Sequence, residues 1–264
     1  MLVVIKDTYA EISQVAAQIV ANALRKKPAL TLGLATGSTP LGLYRELVRL
    51  HREEGLDFSG VVTFNLDEYL GLAPTHPQSY HHFMDQHFFN HLDIDRANIH
   101  IPDGTITGDY DGYCAAYEAR IRQAGGIDLQ ILGIGTSGHI GFNEPTTSLS
   151  SRTRITVLTE QTLRDNQRFF THSEDPPQYA ITMGLGTIME ARRILLLATG
   201  NGKAAAVAQA IEGPLTSSVT ASVLQLHPDV TAILDTEAAE RLAHKDYYGR
   251  TVEMTMRFSP RKLF

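Results

Sequence analysis

Four short segments hold the residues best placed to do chemistry: ATGSTP (35–40), NLDEY (65–69), GTSGHIGFNEP (135–145) and ATGNGK (198–203). Asp67 and Glu68 follow the apolar run VVTFNL, so at least one carboxylate is expected at a strand end, where a turn or helix-capping acid is the competing role. His139 follows Gly138, which lets an imidazole approach a ligand closely. Glu144 lies five residues on, where a carboxylate can orient the ring and stabilise its charged form. A buried loop histidine would carry the same neighbours. In Thr36-Gly37-Ser38-Thr39-Pro40, small residues and hydroxyls precede a helix with proline expected at its first position. Free N–H groups at such a helix start bind phosphate. Neither a Walker loop nor G-x-G-x-x-G is present, and an ordinary strand–helix turn is the alternative. ATGNGK repeats the pattern and adds the cation of Lys203. Together these residues describe acid–base chemistry on a phosphorylated small molecule, with the reaction itself left open.

Other candidates carry less. His87 and His91 have the i, i+4 spacing of a metal pair, but no Glu or Cys completes a set, and Phe83, Phe88 and Phe89 point to a packed amphipathic helix. Cys114 reads as a small buried hydrophobe. No G-x-S-x-G supports serine hydrolysis.

The elements that must hold these residues alternate between short β-rich runs and helical patterns, the signature of βαβ units around a mostly parallel sheet. Strands are expected at 2–5, 30–35, 61–66, 128–135, 193–200 and 230–236, with helices near 8–26, 40–53, 78–92 and 110–123. Thr8-x-x-Glu11 forms a capping box at the first helix. TRITVL and YAITMG are expected as strands outside the central run. The polar segments sit at the C-terminal ends of strands, the edge where open α/β sheets bind ligands. One domain over 1–264 is expected, with residues 148–186, which hold Arg152, Arg154, Arg164, Arg168 and the turn-prone Glu174-Asp175-Pro176-Pro177, as a flap over the site.

Composition narrows the function classes. The chain has 264 residues, 43% hydrophobic and 20% charged, and a net charge of −6, the wrong sign for a general nucleic-acid or anionic-membrane binder. A single cysteine allows no intrachain disulfide and fits a reducing compartment. The N-terminus lacks a signal-peptide layout, and no apolar run approaches the roughly 20 residues that span a bilayer, so a cytoplasmic protein is expected.

LGLATGSTPLGLY, VTFNLDEYLGL with HPQSYHHFM, GIGTSGHIGFNEP, SRTRI and SVLQLHP together resemble the glucosamine-6-phosphate deaminases, in order, from about residue 30 to about residue 235. GHIGFNEP is the specific part, because the related 6-phosphogluconolactonases share a Gly-His loop without Phe-Asn-Glu-Pro. The resemblance implies a three-layer Rossmann-like α/β fold and conversion of glucosamine 6-phosphate to fructose 6-phosphate and ammonia, without metal or organic cofactor. It implies Asp67 as the base moving a proton between C2 and C1, and His139 with Glu144 as the ring-opening pair. It also implies phosphate binding by Thr36, Gly37, Ser38 and Thr39 with Arg168 and Lys203. Two departures stand out. Position 137, Asp in many members and counted with the ring-opening residues, is Ser137. Thr147, Ser148 and Arg154 match the effector site of allosteric members, but the expected lysine is Thr156, which argues against activation by N-acetylglucosamine 6-phosphate and the hexamer that accompanies it. Monomer and hexamer both remain open. The rivals are another sugar-phosphate isomerase or lactonase, or a non-catalytic sensor, which would have no reason to keep Asp67, His139 and Glu144 together.

Overall fold

The computed structural model describes residues 1–167, 170 and 176–259. In chain order its elements are β1 (Leu2–Lys6), α1 (Tyr9–Lys26), β2 (Thr31–Leu34), α2 (Leu41–Glu54), β3 (Val62–Asn65), β4 (Asp67–Tyr69) and α3 (Tyr80–His87). There follow β5 (Ile99–His100), α4 (Tyr110–Gln123), β6 (Leu129–Leu132), β7 (Arg154–Val157), α5 (Glu160–Gln167) and β8 (Tyr179–Thr182). The chain continues through α6 (Leu185–Met189), β9 (Arg193–Ala198), α7 (Ala204–Glu212), β10 (Val230–Asp235) and α8 (Lys245–Phe258).

Among the described residues, seven parallel strands form one sheet in the order β1-β10-β9-β6-β2-β3-β5. Its strands are short and apolar because both faces are covered. Ile12, Ala16, Val20, Leu43 and Leu47 of α1 and α2 pack with Leu32, Leu34 and Ile131 on one face. On the other, Tyr117 of α4, Leu185 and Ile188 of α6 and Val207 of α7 pack with Phe64, Leu132 and Leu196. The capping box forms at the start of α1: Glu11 N–H donates to Thr8 Oγ1 at 3.2 Å, and Thr8 N–H to Glu11 Oε2 at 3.0 Å. α2 begins one residue later than the sequence predicts, with Pro40 in the capping position.

From β2 the sheet grows through β3 to β5, and from β6 through β9 to β10, so the direction of winding reverses between β2 and β6. Such a reversal opens a crevice at the C-terminal ends of the two strands. The segments that leave β2 and β6 there are 35–40 and 133–139.

A second sheet, antiparallel β4-β8-β7, stands beside this edge. The expected strands TRITVL and YAITMG are its β7 and β8, so two stretches of the expected flap belong to a hydrogen-bonded sheet. Its third member, β4, carries Asp67 opposite Thr182. Glu118 of α4 ties the sheets together. Its Oε1 accepts from the Thr153 N–H at 2.9 Å and the Thr153 hydroxyl at 2.6 Å, and also from Thr187 of α6, while Oε2 pairs with Arg152 at 2.5 Å.

Candidate active site

The crevice holds a cavity of about 580 Å³ that gathers most of the residues singled out in the sequence. Thr36, Gly37, Ser38, Thr39 and Pro40 line one side, Gly133–Thr136 and His139 another, and Asp67 and Lys203 reach it from β4 and the loop after β9.

The 36–39 loop presents donors to this space. Gly37 has φ +104°, in the left-handed region that glycine accepts without cost. The carbonyls of Ser38 and Thr39 lie 2.9 and 3.1 Å from the Tyr9 hydroxyl of α1, which donates to them and accepts from the Gly42 N–H at 2.7 Å. Among the described residues, no acceptor pairs with the N–H groups of Gly37, Ser38 or Thr39. Donors at a helix start with their carbonyls drawn away make an anion seat. The 198–203 loop is built differently from the expected second phosphate loop. The Gly200 N–H donates to Asp235 at 2.8 Å and the Asn201 N–H to Glu237 at 3.3 Å, so carboxylates of the protein occupy its backbone donors. Its contribution to the cavity is the Lys203 side chain.

Asp67 and Glu68, adjacent in β4, point to different work. Glu68 is fully buried and anchors α3, accepting from the N–H groups of Tyr80 and His81 at 2.9 and 3.0 Å. The helix-capping role foreseen as an alternative belongs to this residue. Asp67 faces the cavity. Burial, then the charge of Glu68, pushes its carboxyl up to about 8, into the range useful for a base near neutral pH.

The histidine loop is tight: Gly135 N–H donates to His139 O at 2.8 Å and Gly138 N–H to Gly135 O at 3.0 Å. The imidazole lies so close to Gly135 that a Cβ there would sit 2.3 Å from the ring. Nδ1 is 2.6 Å from Ser137 Oγ and 3.2 Å from Glu144 Oε2. A serine nucleophile and its supporting acid occupy opposite ring nitrogens in a hydrolytic triad, whereas here both stand on Nδ1, so Ser137 is not a triad nucleophile. Burial works to raise the Glu144 carboxyl, but the hydrogen bond and charge of His139, with the hydroxyls of Thr162 and Thr159, hold it at about 2. Directly after Glu144-Pro145, Thr146 has φ +76°, the one non-glycine with positive φ among the described residues.

Asn143 fixes the same loop. Its Nδ2 donates to the carbonyls of Ile140 and Met183 at 2.9 and 2.8 Å, and its Oδ1 accepts from Arg154 Nη1 at 2.9 Å. Arg154 also reaches Thr147 Oγ1 at 3.3 Å, while Ser148 pairs with Ser150. Thr156 lies on β7 opposite Ala180. Arg168 lies outside the described residues. Tyr80, Phe142, Thr162, Arg164 and Asn166 also line the cavity; Phe142 and Tyr80 fall within the quoted motifs and Arg164 within the arginine-rich flap segment, whereas Thr162 and Asn166 had no signal. Arg152 turns instead to Glu118 and Glu190. Among the described residues no helix is long and apolar enough to cross a membrane.

Known proteins place this arrangement. Residues 6–232 match the family model described as glucosamine-6-phosphate isomerases/6-phosphogluconolactonase. A glucosamine-6-phosphate deaminase of Thermoanaerobacter pseudethanolicus is 54% identical over 246 residues, 93% of this chain and 97% of the relative. One from Shewanella loihica is 51% identical over 94% of this chain and 91% of its own. A solved monomeric glucosamine-6-phosphate deaminase superposes with a TM-score of 0.89 at 47% identity, covering 91% of this chain and all of that one. A 6-phosphogluconolactonase from Trypanosoma cruzi is more distant, with a TM-score of 0.69 at 25% identity over 92% of this chain and 97% of that one. The chain belongs to the glucosamine-6-phosphate isomerase/6-phosphogluconolactonase family.

Proposed function

We propose that this chain is a glucosamine-6-phosphate deaminase, converting glucosamine 6-phosphate to fructose 6-phosphate and ammonia. Identity of about one half to deaminases over nearly the whole chain supports the reading. The observation that carries it is that the buried Asp67 and His139, the latter backed by Glu144, line one cavity beside an anion seat. A lactonase needs a proton carrier but no base for a C–H bond.

In this reading the phosphate sits on the N–H groups of Gly37, Ser38 and Thr39, with Lys203 and Arg168 as cations. His139 moves the proton between O1 and O5 and opens the pyranose, and Glu144 stabilises the imidazolium. Asp67 removes the C2 proton from the open-chain aldehyde while O1 takes up a proton from solvent, giving an enolamine, and then returns its proton to C1 as the nitrogen gives one up. The resulting C2 imine adds water and releases ammonia, leaving the ketose. No step calls for a metal or an organic cofactor. α5, with Thr162, Arg164 and Asn166 on the cavity, acts as the lid within 148–186. The likeness to a monomeric deaminase, and Thr156 in place of a lysine, support a monomer that ignores N-acetylglucosamine 6-phosphate. The single cysteine and acidic balance fit the cytoplasm.

Purified protein given glucosamine 6-phosphate is expected to release one ammonia per fructose 6-phosphate, with solvent deuterium appearing in the ketose. Absence of ammonia release, or turnover of 6-phosphogluconolactone instead, overturns the reading.

A further inference from the structure

α5 grips the site through a contact that the proton transfers above do not use. Thr159 caps the helix, its Oγ1 accepting from the Thr162 N–H at 3.3 Å and its carbonyl from the Leu163 N–H at 2.9 Å. The hydroxyls of this first turn then converge on one oxygen of Glu144. Thr159 Oγ1 donates to Oε1 at 3.1 Å, and Thr162 Oγ1 donates to the same atom in a shorter bond. Thr162 is buried, and so is the carboxylate. The second oxygen, Oε2, is buried, accepts no hydrogen bond among the described residues, and stands at ion-pair distance, 3.2 Å, from His139 Nδ1.

We propose that Thr162, assisted by Thr159, is a positioning residue for the ring-opening pair, clamping Glu144 by Oε1 so that Oε2 faces the imidazole. The proposal rests on the reading of His139 and Glu144 as that pair. A glutamate carboxyl has three rotatable bonds, and in a tight cavity its direction is set by whatever it accepts from. His139 is the titratable group that faces it from the loop after β6. From α5 the threonines supply neutral donors, which keep it ionised without competing for the histidine's charge. Four residues beyond Thr162, on the same side of the helix, Asn166 lines the cavity with its Nδ2 buried and unpartnered among the described residues. One helical face therefore carries both the clamp and an amide facing the substrate space, and a shift of α5 moves both.

Thr162→Val keeps the shape and removes the donor, and Thr162→Ser restores the donor without the methyl. With glucosamine 6-phosphate, Thr162→Val is expected to lower kcat by about tenfold or more, the size of a lost hydrogen bond to a charged group, with KM changed less than about twofold. The Glu144 carboxyl of this variant should titrate about one pH unit higher, the acid limb of the pH–rate profile, which Asp67 sets, should stay in place, and Thr162→Ser should restore both kcat and the carboxyl. Carbon-13 NMR of the Glu144 carboxyl should show the same upward shift in Thr162→Val and Thr159→Val but not in Thr162→Ser. A wild-type carboxyl titration in Thr162→Val, or a serine variant as impaired as the valine one, overturns the clamp. Because the carboxyl titration needs no turnover, it decides this point even if the wild-type protein releases no ammonia.

Discussion

Two adjacent carboxylates with different fates set the chemistry at the residue scale. Glu68 is held by backbone N–H groups of α3, whereas Asp67 is buried without such donors and its carboxyl is raised to about 8. Asp67→Asn is expected to lower kcat by roughly 10²–10⁴-fold, the usual worth of a positioned base, while leaving substrate binding largely intact. In the wild-type enzyme kcat/KM should rise with pH towards about 8, because the base must lose its proton first. The stability effect has the opposite sense. A carboxyl raised on folding binds its proton more tightly in the folded state, so stability falls as pH rises from the unfolded value of about 4 to about 8. Asp67→Asn should therefore gain on the order of 1–3 kcal/mol at neutral pH in denaturant melts. A variant that is both active and no more stable contradicts both statements. Gly135→Ala would put a Cβ 2.3 Å from the His139 ring. It is expected to cost ring opening about tenfold or more while the phosphate seat keeps its affinity, as steady-state kinetics and inhibition by inorganic phosphate would show. Asp67, His139 and the glycine loops were legible in the sequence because polar residues at strand ends stand out against apolar runs. Thr162 and Asn166 were not, since a threonine and an asparagine in a polar helix carry no spacing that marks a site.

Among the elements, legibility followed hydrophobic pattern. β2, β3, β6, β9 and β10 lie in apolar runs because both their faces are covered. β4 is three residues, Asp-Glu-Tyr, with no alternation, and only its pairing with β8 makes it a strand. β5 has two residues, and α8 buries only Thr255, so neither offered a pattern to find. The two glycine loops look alike in sequence yet divide their tasks, because Asp235 and Glu237, more than thirty residues away, fill the donors of the second. Its role thus narrows to one ammonium group. Lys203→Ala is expected to weaken binding of glucosamine 6-phosphate by roughly one to two decades and of unphosphorylated glucosamine far less. An unchanged ratio of the two affinities by calorimetry would take Lys203 out of the phosphate site.

Across the whole molecule, the parallel sheet and the small antiparallel sheet must keep a fixed relation, since Asp67 belongs to one and the anion seat and His139 to the edge of the other. Glu118 is a joint between them, its carboxylate shared by Thr153, Thr187 and Arg152. Burial opposes its ionisation, but these partners win and hold its carboxyl below the usual range. A depressed carboxyl stabilises the fold above its unfolded pKa, and that contribution is lost as pH falls through the folded value. Glu118→Ala is expected to cost about 2–3 kcal/mol at neutral pH, seen as a lower Tm, with the deficit shrinking under acid. This joint had no local sequence signal, because its members lie 34, 35 and 69 residues from Glu118.

The Tyr9 hydroxyl gives the anion seat a polarity that the seat's own residues could not impose. By taking the carbonyls of Ser38 and Thr39 onto its single proton, it occupies the loop's acceptors while the N–H groups of Gly37, Ser38 and Thr39 pair with no acceptor among the described residues. A helix some thirty residues upstream thereby holds the carbonyls of a loop that lines the cavity. Tyr9→Phe should free those carbonyls to turn inward, and the loss would register as weaker phosphate affinity with normal proton transfer once substrate is bound. A search for phosphate-binding defects in this enzyme would then return a residue that never touches phosphate, and equilibrium binding of inorganic phosphate to Tyr9→Phe is the direct check.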